Sequence, residues 1–360
     1  MDNVLPEADA LDGYTHPRFT PNVFGHEHAE EHFLSTWRSG RLHHAVLITG
    51  PKGIGKASFV WRAARFLLDP VSGATNLATD PESPVNRRIS ALSEPRLVLA
   101  RRGWDEKAKK LRTQITVDDI RGFKSFFQLS VTDGGWRAAI IDAADEMNTA
   151  AANALLKILE EPPEKTVIFL VSHQPTRLLP TIRSRCTTLP LTPLSGPAME
   201  AALRQQDVLI SPKMDGLTAM ANGSVGQALR LIEAEGQDIY AAYLSAFDGI
   251  EMDRSVALKL AESCAGPQNN LRYDITLELL SVFLSRIAHQ GSAGTGALLE
   301  LVPGEARVLN RLGRSQHHAR RWADLALALP ARAAQSKAVN LDPSSVILDM
   351  LLEIDKTAKA

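Results

Sequence analysis

Residues 43–68 read HHAVLITGPKGIGKASFVWRAARFLL, and this stretch decides the fold. HHAVLITG is a short apolar run ending in glycine, the pattern of a buried β-strand. SFVWRAARFLL places Phe59, Ala63, Phe66 and Leu67 on one helical face, and Pro70 stops it. Between them, Gly50-Pro51-Lys52-Gly53-Ile54-Gly55-Lys56 fits G-x-x-x-x-G-K. That motif needs a strand before it and a helix after it. Its glycines let main-chain N–H groups wrap a polyphosphate at a helix N-terminus, and its lysine reaches the terminal oxygens. Gly50, Gly53, Gly55 and Lys56 are therefore candidate nucleotide-binding residues, with Ala57 and Ser58 opening the helix beside them. The residue after the lysine is ordinarily serine or threonine, whose hydroxyl ligates Mg²⁺. Ala57 has no hydroxyl, and Ser58 lies about 100° further round the helix. ATP binding stays open on this reading, while magnesium is expected to be held poorly.

A second strand, WRAAIID (136–142), ends on Asp142, where such a fold places an acid that helps hold Mg²⁺. The next position, where a hydrolytic site carries a water-orienting glutamate, is Ala143. Asp145 and Glu146 lie beyond the strand and read as capping or solvating the next helix. Two groups needed for hydrolysis are missing at independent positions, which predicts a site relieved of catalysis.

The alternation continues outward from these strands. Residues 1–20 read as a loose polar arm, Ala29–Trp37 as a helix, 70–95 as a loop and LVLA (97–100) as a strand. VDDIRGFKSFFQL (117–129) carries Val117, Ile120, Phe123 and Phe127 on one helical face. TAAANALLKILEE is a helix stopped by Pro162 and Pro163, and TVIFLVS is a third strand. Strands alternating with helices make an α/β unit, a parallel sheet covered on both sides. Beyond Pro193 the strand-like runs vanish. Short helices are expected over 197–235 and longer ones over 237–355, with Asp342-Pro343 a good helix start.

Composition excludes several classes. The 360 residues are 44% hydrophobic and 22% charged, as in a globular protein, and no apolar run approaches the ~20 residues of a membrane span. The N-terminal MDNVLPEADALDGY lacks the pattern of a secretory signal. The net charge of -1 shows no basic excess of the kind a dedicated DNA-binding domain carries. One local run, Arg101, Arg102, Lys107, Lys109, Lys110 and Arg112, reads as a solvated face. The only cysteines, Cys186 and Cys264, are too few for a zinc site or a disulfide framework, so the cytoplasm is the expected compartment. Cys186 reads as a small buried hydrophobe.

Two further blocks are more specific: DEMNTAAANALLKILEEPP (145–163) and HQPTRLLPTIRSRC (173–186). With FGHEHAEEHF (24–33) and GRLHHAVLITGP (40–51), they resemble the AAA+ clamp-loader subunits of bacterial DNA polymerase III. The resemblance covers roughly 19–195, and Ser184-Arg185-Cys186 corresponds to the SRC motif of that family. Its gamma/tau motors keep the magnesium hydroxyl and the glutamate, so Ala57 and Ala143 look like the delta prime branch. The resemblance implies an AAA+ P-loop core over 1–193, a small helical lid over 194–235 and a helical collar over 236–360 that joins an oligomer. It implies gamma/tau and delta subunits as partners, and through the complex the sliding clamp and primed DNA, with no membrane. It also implies that Arg185 reaches a neighbour's ATP site as an arginine finger, since a guanidinium stabilises the charge of phosphoryl transfer. The cysteine zinc module of many relatives is missing, so no zinc is expected. The lid's basic sensor is replaced by glycine in Gly223-Ser224-Val225-Gly226, with Arg230 one turn further on. The alternatives are an active gamma/tau-like ATPase, an unrelated P-loop kinase, and, for Arg185, a helix-end arginine paired with a local carboxylate.

Overall fold

A computed structural model describes residues 5–128, 135–208, 214–293 and 299–359. Leu129 at the end of the expected helix 117–129, residues 1–4 of the arm, 209–213 of the lid and 294–298 of the collar lie outside the described residues. The chain divides into two units, Met1–Ile210 with Ser224–Gly226, and Ser211–Gly223 with Gln227–Ala360.

In the first unit, α1 (Glu27–Arg38) leads into β1 (Ala45–Thr49), α2 (Lys56–Leu68), α3 (Pro84–Ser90) and β2 (Leu97–Ala100). A short ribbon of β3 (Trp104–Asp105) and β4 (Lys110–Leu111) precedes α4 (Val117–Gln128), β5 (Arg137–Asp142) and α5 (Thr149–Glu160). Then come β6 (Thr166–Ser172), α6 (Pro180–Arg183), β7 (Thr187–Pro190) and α7 (Gly196–Arg204). Five strands form one parallel sheet in the order β2-β5-β6-β1-β7. Val46 of β1 lies between Phe169 of β6 and Thr187 of β7. Every residue of β1 and β6 is buried, as parallel strands covered on both faces require. Leu47, Ile141 and Leu170 share a core with Ile120 and Phe123 of α4 and Leu155 of α5. Phe33 of α1 meets Phe169 of β6 at 5.9 Å between ring centres.

Two expectations are corrected here, and one strand is added. The stretch 70–95 contains a helix, α3, because Ser83 Oγ accepts the Asn86 N–H at 3.1 Å and Pro84 pre-sets the first turn. The chain continues past the SRC motif into β7, an edge strand whose only buried residue is Leu189. The N-terminal arm is not loose. Arg101 holds Glu7 at 2.6 Å and also pairs with Asp9, Arg62 donates to the Pro21 carbonyl at 2.6 Å, and Arg65 donates to the Arg18 carbonyl.

The second unit is helical among the described residues: α8 (Met214–Met220), α9 (Val225–Glu233), α10 (Gly236–Ala246) and α11 (Arg254–Glu262), then α12 (Asn270–Ala293), α13 (Glu305–Leu312), α14 (Gln316–Ala338) and α15 (Pro343–Lys359). Tyr243 of α10 and Phe247, just after it, stack on Phe283 of α12 at 5.8 and 6.1 Å. Glu305 is fully buried and fully engaged by Arg286 Nε at 2.5 Å, Tyr240 OH at 2.6 Å and the Leu301 N–H at 2.6 Å. The Asp342 carboxylate accepts the Ser345 N–H at 3.0 Å and starts α15 as its sequence requires. Among the described residues no helix is long and apolar enough to cross a membrane.

Candidate functional site

The phosphate loop sits at the carboxyl end of β1, where an open parallel sheet places its ligand crevice. Gly50 has φ +142°, and a Cβ there would stand 2.5 Å from the Leu191 carbonyl oxygen. Gly53 has φ +78°, and a Cβ there would collide with Ser224 Oγ. Lys56 is buried and turned into the loop, donating to the carbonyls of Gly50 at 2.8 Å and of Pro51. His26 braces the loop from outside, its Nε2–H donating to the Ile54 carbonyl at 2.7 Å. Burial holds the His26 imidazole below the ordinary histidine value, so it is neutral and able to accept or donate at one nitrogen each.

Burial dominates the charges here. It pushes the Lys56 ammonium down to about 8, against the pull of Asp142 and Asp145. It pushes the Asp142 carboxyl up to about 7, with the Asp9 carboxylate adding to the effect and Lys56 opposing it. Ala57 offers no hydroxyl beside Asp142, so the usual pair of magnesium-holding groups is incomplete. Ser58 is half-buried on α2, one place further along. Loop, lysine and helix N-terminus thus fit a polyphosphate, whereas the magnesium set lacks its hydroxyl at Ala57.

Asp145 does not cap the next helix. Asn148 does that, its side chain accepting the Ala151 N–H at 2.9 Å. The Asp145 carboxylate instead accepts the N–H groups of His173 and Gln174, both at 3.1 Å, and fixes the turn after β6. Glu146 pairs with Arg102 at 2.5 Å. Neither acid takes the place of the missing glutamate at the buried Ala143.

Sequence reasoning missed two polar groups beside the loop. Ser172 pairs in register with Thr49, the residue before Gly50, and is fully buried. Ser172 Oγ and His173 Nδ1 are both buried and, among the described residues, have no hydrogen-bond partner. Burial, reinforced by the nearby Lys56 charge, pushes the His173 imidazole down to about 4, so it is neutral. Unsatisfied buried polar atoms cost stability, and here they border the crevice. No spacing in the sequence marks them, because their meaning comes from the register of β6 against β1.

Ser224–Gly226 lies directly on the phosphate loop. Ser224 Oγ donates to the Lys52 carbonyl at 2.9 Å, and the Gly226 N–H to the Gly53 carbonyl at 3.0 Å. Arg230 is engaged within the helical unit. Its guanidinium bonds Glu278 at 3.0 Å and Gln227 at 2.8 Å.

Arg185 follows α6 and is 36% exposed. Its Nη1 donates to the Thr181 carbonyl at 3.0 Å and its Nη2 pairs with Glu160 Oε1 at 3.0 Å. The local carboxylate pairing weighed from the sequence is thus present, with the guanidinium still at the surface. The neighbouring Cys186 thiol is pushed up to about 12 by burial, as befits an inert packing residue.

A second charged cluster joins Glu7, Asp9, His16 and Arg101. Atoms of Glu7, Asp9 and His16 lie close enough to suggest a metal site. The histidine rules this out. Its Nδ1 accepts the Arg18 N–H at 2.8 Å, so a proton stands on Nε2, 2.7 Å from Glu7 and 3.3 Å from Asp9. No lone pair remains on Nε2 for a metal. Burial works against the two carboxyls, but the bonds and charges of Arg101 and His16 hold both below their ordinary values. This cluster straps the arm to the end of β2.

A parallel sheet in the order β2-β5-β6-β1-β7, a phosphate loop after β1 and an acid at the end of β5 define an AAA+ P-loop domain, here followed by a helical unit. Residues 25–195 match the family described as DNA polymerase III, delta subunit. The chain is 34% identical over 225 residues to DNA polymerase III subunit delta' of Pseudomonas aeruginosa, covering 61% of this chain and 65% of that one. It is 36% identical over 192 residues to the subunit delta' of Bacillus subtilis, covering 53% and 54%. The matches thus span less than two thirds of those relatives' length. A gamma subunit-related protein of DNA polymerase III from Thermotoga maritima, of known structure, aligns over 88% of this chain and 95% of its own at 18% identity with a TM-score of 0.41. Over its residues 25–195 this chain is similar to the clamp-loader subunits of DNA polymerase III.

Proposed function

We propose that this chain acts as the delta prime subunit of a cytoplasmic clamp loader, assisting ATP-dependent loading of a sliding clamp onto primed DNA. In this reading residues 1–193 are the core, 194–235 the lid and 236–360 the collar that joins gamma/tau and delta subunits. The chain hydrolyses no ATP itself and presents Arg185 to a neighbour's nucleotide. The observation that carries this is the pairing of alanines with a retained phosphate loop and strand-end acid: Ala57 follows Lys56, and Ala143 follows Asp142. ATP, where bound, would lie against Gly50, Gly53, Gly55 and Lys56, with Ala57, Ser58 and Asp142 alongside; the polyphosphate would supply the charge that draws Lys56 off its own carbonyls. The intact loop favours one competing reading, an active gamma/tau-like ATPase.

The test is ATPase of the chain alone and of the loader reconstituted with wild-type, Arg185→Ala or Arg185→Lys protein. The isolated chain should be inactive, and Arg185→Ala should assemble normally while lowering DNA- and clamp-stimulated turnover. A finger contributes about 10³–10⁵ at one site, so in a loader with several sites the total loss is partial. Lysine should rescue poorly, because an ammonium lacks the planar fork. Motor-like turnover by the isolated chain, abolished by Lys56→Ala, would favour the competing reading instead.

A further inference from the structure

α5 ends on two acids, Glu160 and Glu161, immediately before Pro162 and Pro163. Carboxylates are unfavourable at a helix C-terminus, where unpaired carbonyls already concentrate negative charge. Helix stability therefore does not account for Glu160, and its contact does. Glu160 Oε1 stands 3.0 Å from Arg185 Nη2, and the Thr181 carbonyl takes Nη1 at 3.0 Å. The two acceptors grip the guanidinium through both terminal nitrogens, and the Arg185 N–H donates to the Ile182 carbonyl at 3.1 Å, which fixes the main chain beneath it. The side chain is still 36% exposed, and the guanidinium has N–H groups beyond the two that these acceptors take.

We infer that Glu160 is the positioning residue for Arg185: it holds the guanidinium plane at the surface so that the remaining N–H groups meet an anionic phosphoryl oxygen on an adjacent subunit. This rests on the proposed role of Arg185 in trans. A long flexible side chain that must be ordered at the moment of reaction loses part of its benefit to rotamer entropy. Two fixed acceptors remove part of that loss. They do not neutralise the finger, because Glu160 is itself 51% exposed and solvent screens the pair.

The loader is reconstituted with wild-type, Glu160→Ala, Glu160→Gln, Arg185→Ala and Glu160→Ala/Arg185→Ala subunits, and kcat and KM for ATP are measured with clamp and primed DNA. Exposed ion pairs of this kind are modest, so Glu160→Ala should lower the Arg185-dependent part of kcat about two- to fivefold at unchanged KM. Glu160→Gln, which keeps a hydrogen-bond acceptor, should fall between. The double variant should be no slower than Arg185→Ala, and the melting temperature and assembly of Glu160→Ala should match wild type. Salt should slow the wild type more steeply than Glu160→Ala, since only the former has the pair to screen. Full kcat in Glu160→Ala beside a slow Arg185→Ala would overturn the positioning role and leave the finger standing. Faster turnover in Glu160→Ala would make the pair a brake and likewise overturn it. No effect of Arg185→Ala would remove the finger itself.

Discussion

Lys56 and Asp142 each carry their charge at a disadvantage, which makes stability depend on pH in opposite senses. The folded Asp142 carboxyl keeps its proton up to about 7, whereas the unfolded chain loses it near 3.8. The stability that its neutral form confers is complete below the unfolded value and is lost as pH rises through 7. Lys56 behaves oppositely. It titrates at about 8 folded and near 10.5 unfolded, so its penalty is full below 8 and is relieved as pH rises to 10.5. Asp142→Asn removes the first effect without changing the shape of the side chain. Its melting temperature should pull ahead of wild type between pH 4.5 and 7.5, by an amount on the order of a few °C, and the gap should be flat above 8. Thermal unfolding of both proteins across that range is the check, and a gap that stays constant or narrows would contradict the buried, reluctantly charged carboxyl.

At the scale of elements, the turn after β6 depends on one carboxylate from a turn 28 residues earlier in the chain. Asp145→Ala leaves the His173 and Gln174 N–H groups without their acceptor and should cost about 1–3 kcal/mol in urea unfolding. Glu146→Ala, which breaks only a partly exposed ion pair, should cost less than about 1 kcal/mol. Equal costs would mean that Asp145 is a surface charge like its neighbour. The contrast shows what a sequence can carry. β1, β5 and β6 are legible because strands buried on both faces are continuous apolar runs, and Lys56 and Asp142 because a motif fixes their place. β7 is not, since TTLP at a sheet edge buries only Leu189. α3 is polar and short, and only its Ser83-Pro84 start betrays it. The roles of His26, Ser172 and Asp145 arise from chain segments far apart in sequence, where no local period or spacing records the contact.

For the whole molecule, the helical unit has its own core around Tyr240, Tyr243 and Phe283, separate from the core of the sheet. A chain ending near residue 208, close to the end of the first unit's main segment, should therefore remain soluble and folded by circular dichroism yet fail to co-elute with gamma/tau and delta subunits on size exclusion. Normal co-elution would place the assembly surface in the first unit. The sheet order carries a further consequence, for synthesis rather than function. β1, with the loop and α2 behind it, leaves the ribosome early, but its two neighbours are β6 and β7, more than a hundred residues downstream. At 5–20 residues per second the wait is roughly 6–25 s. Through that interval a five-residue apolar strand and the apolar face of its helix have no native partner, and whatever shields them from aggregation has to come from outside the nascent chain.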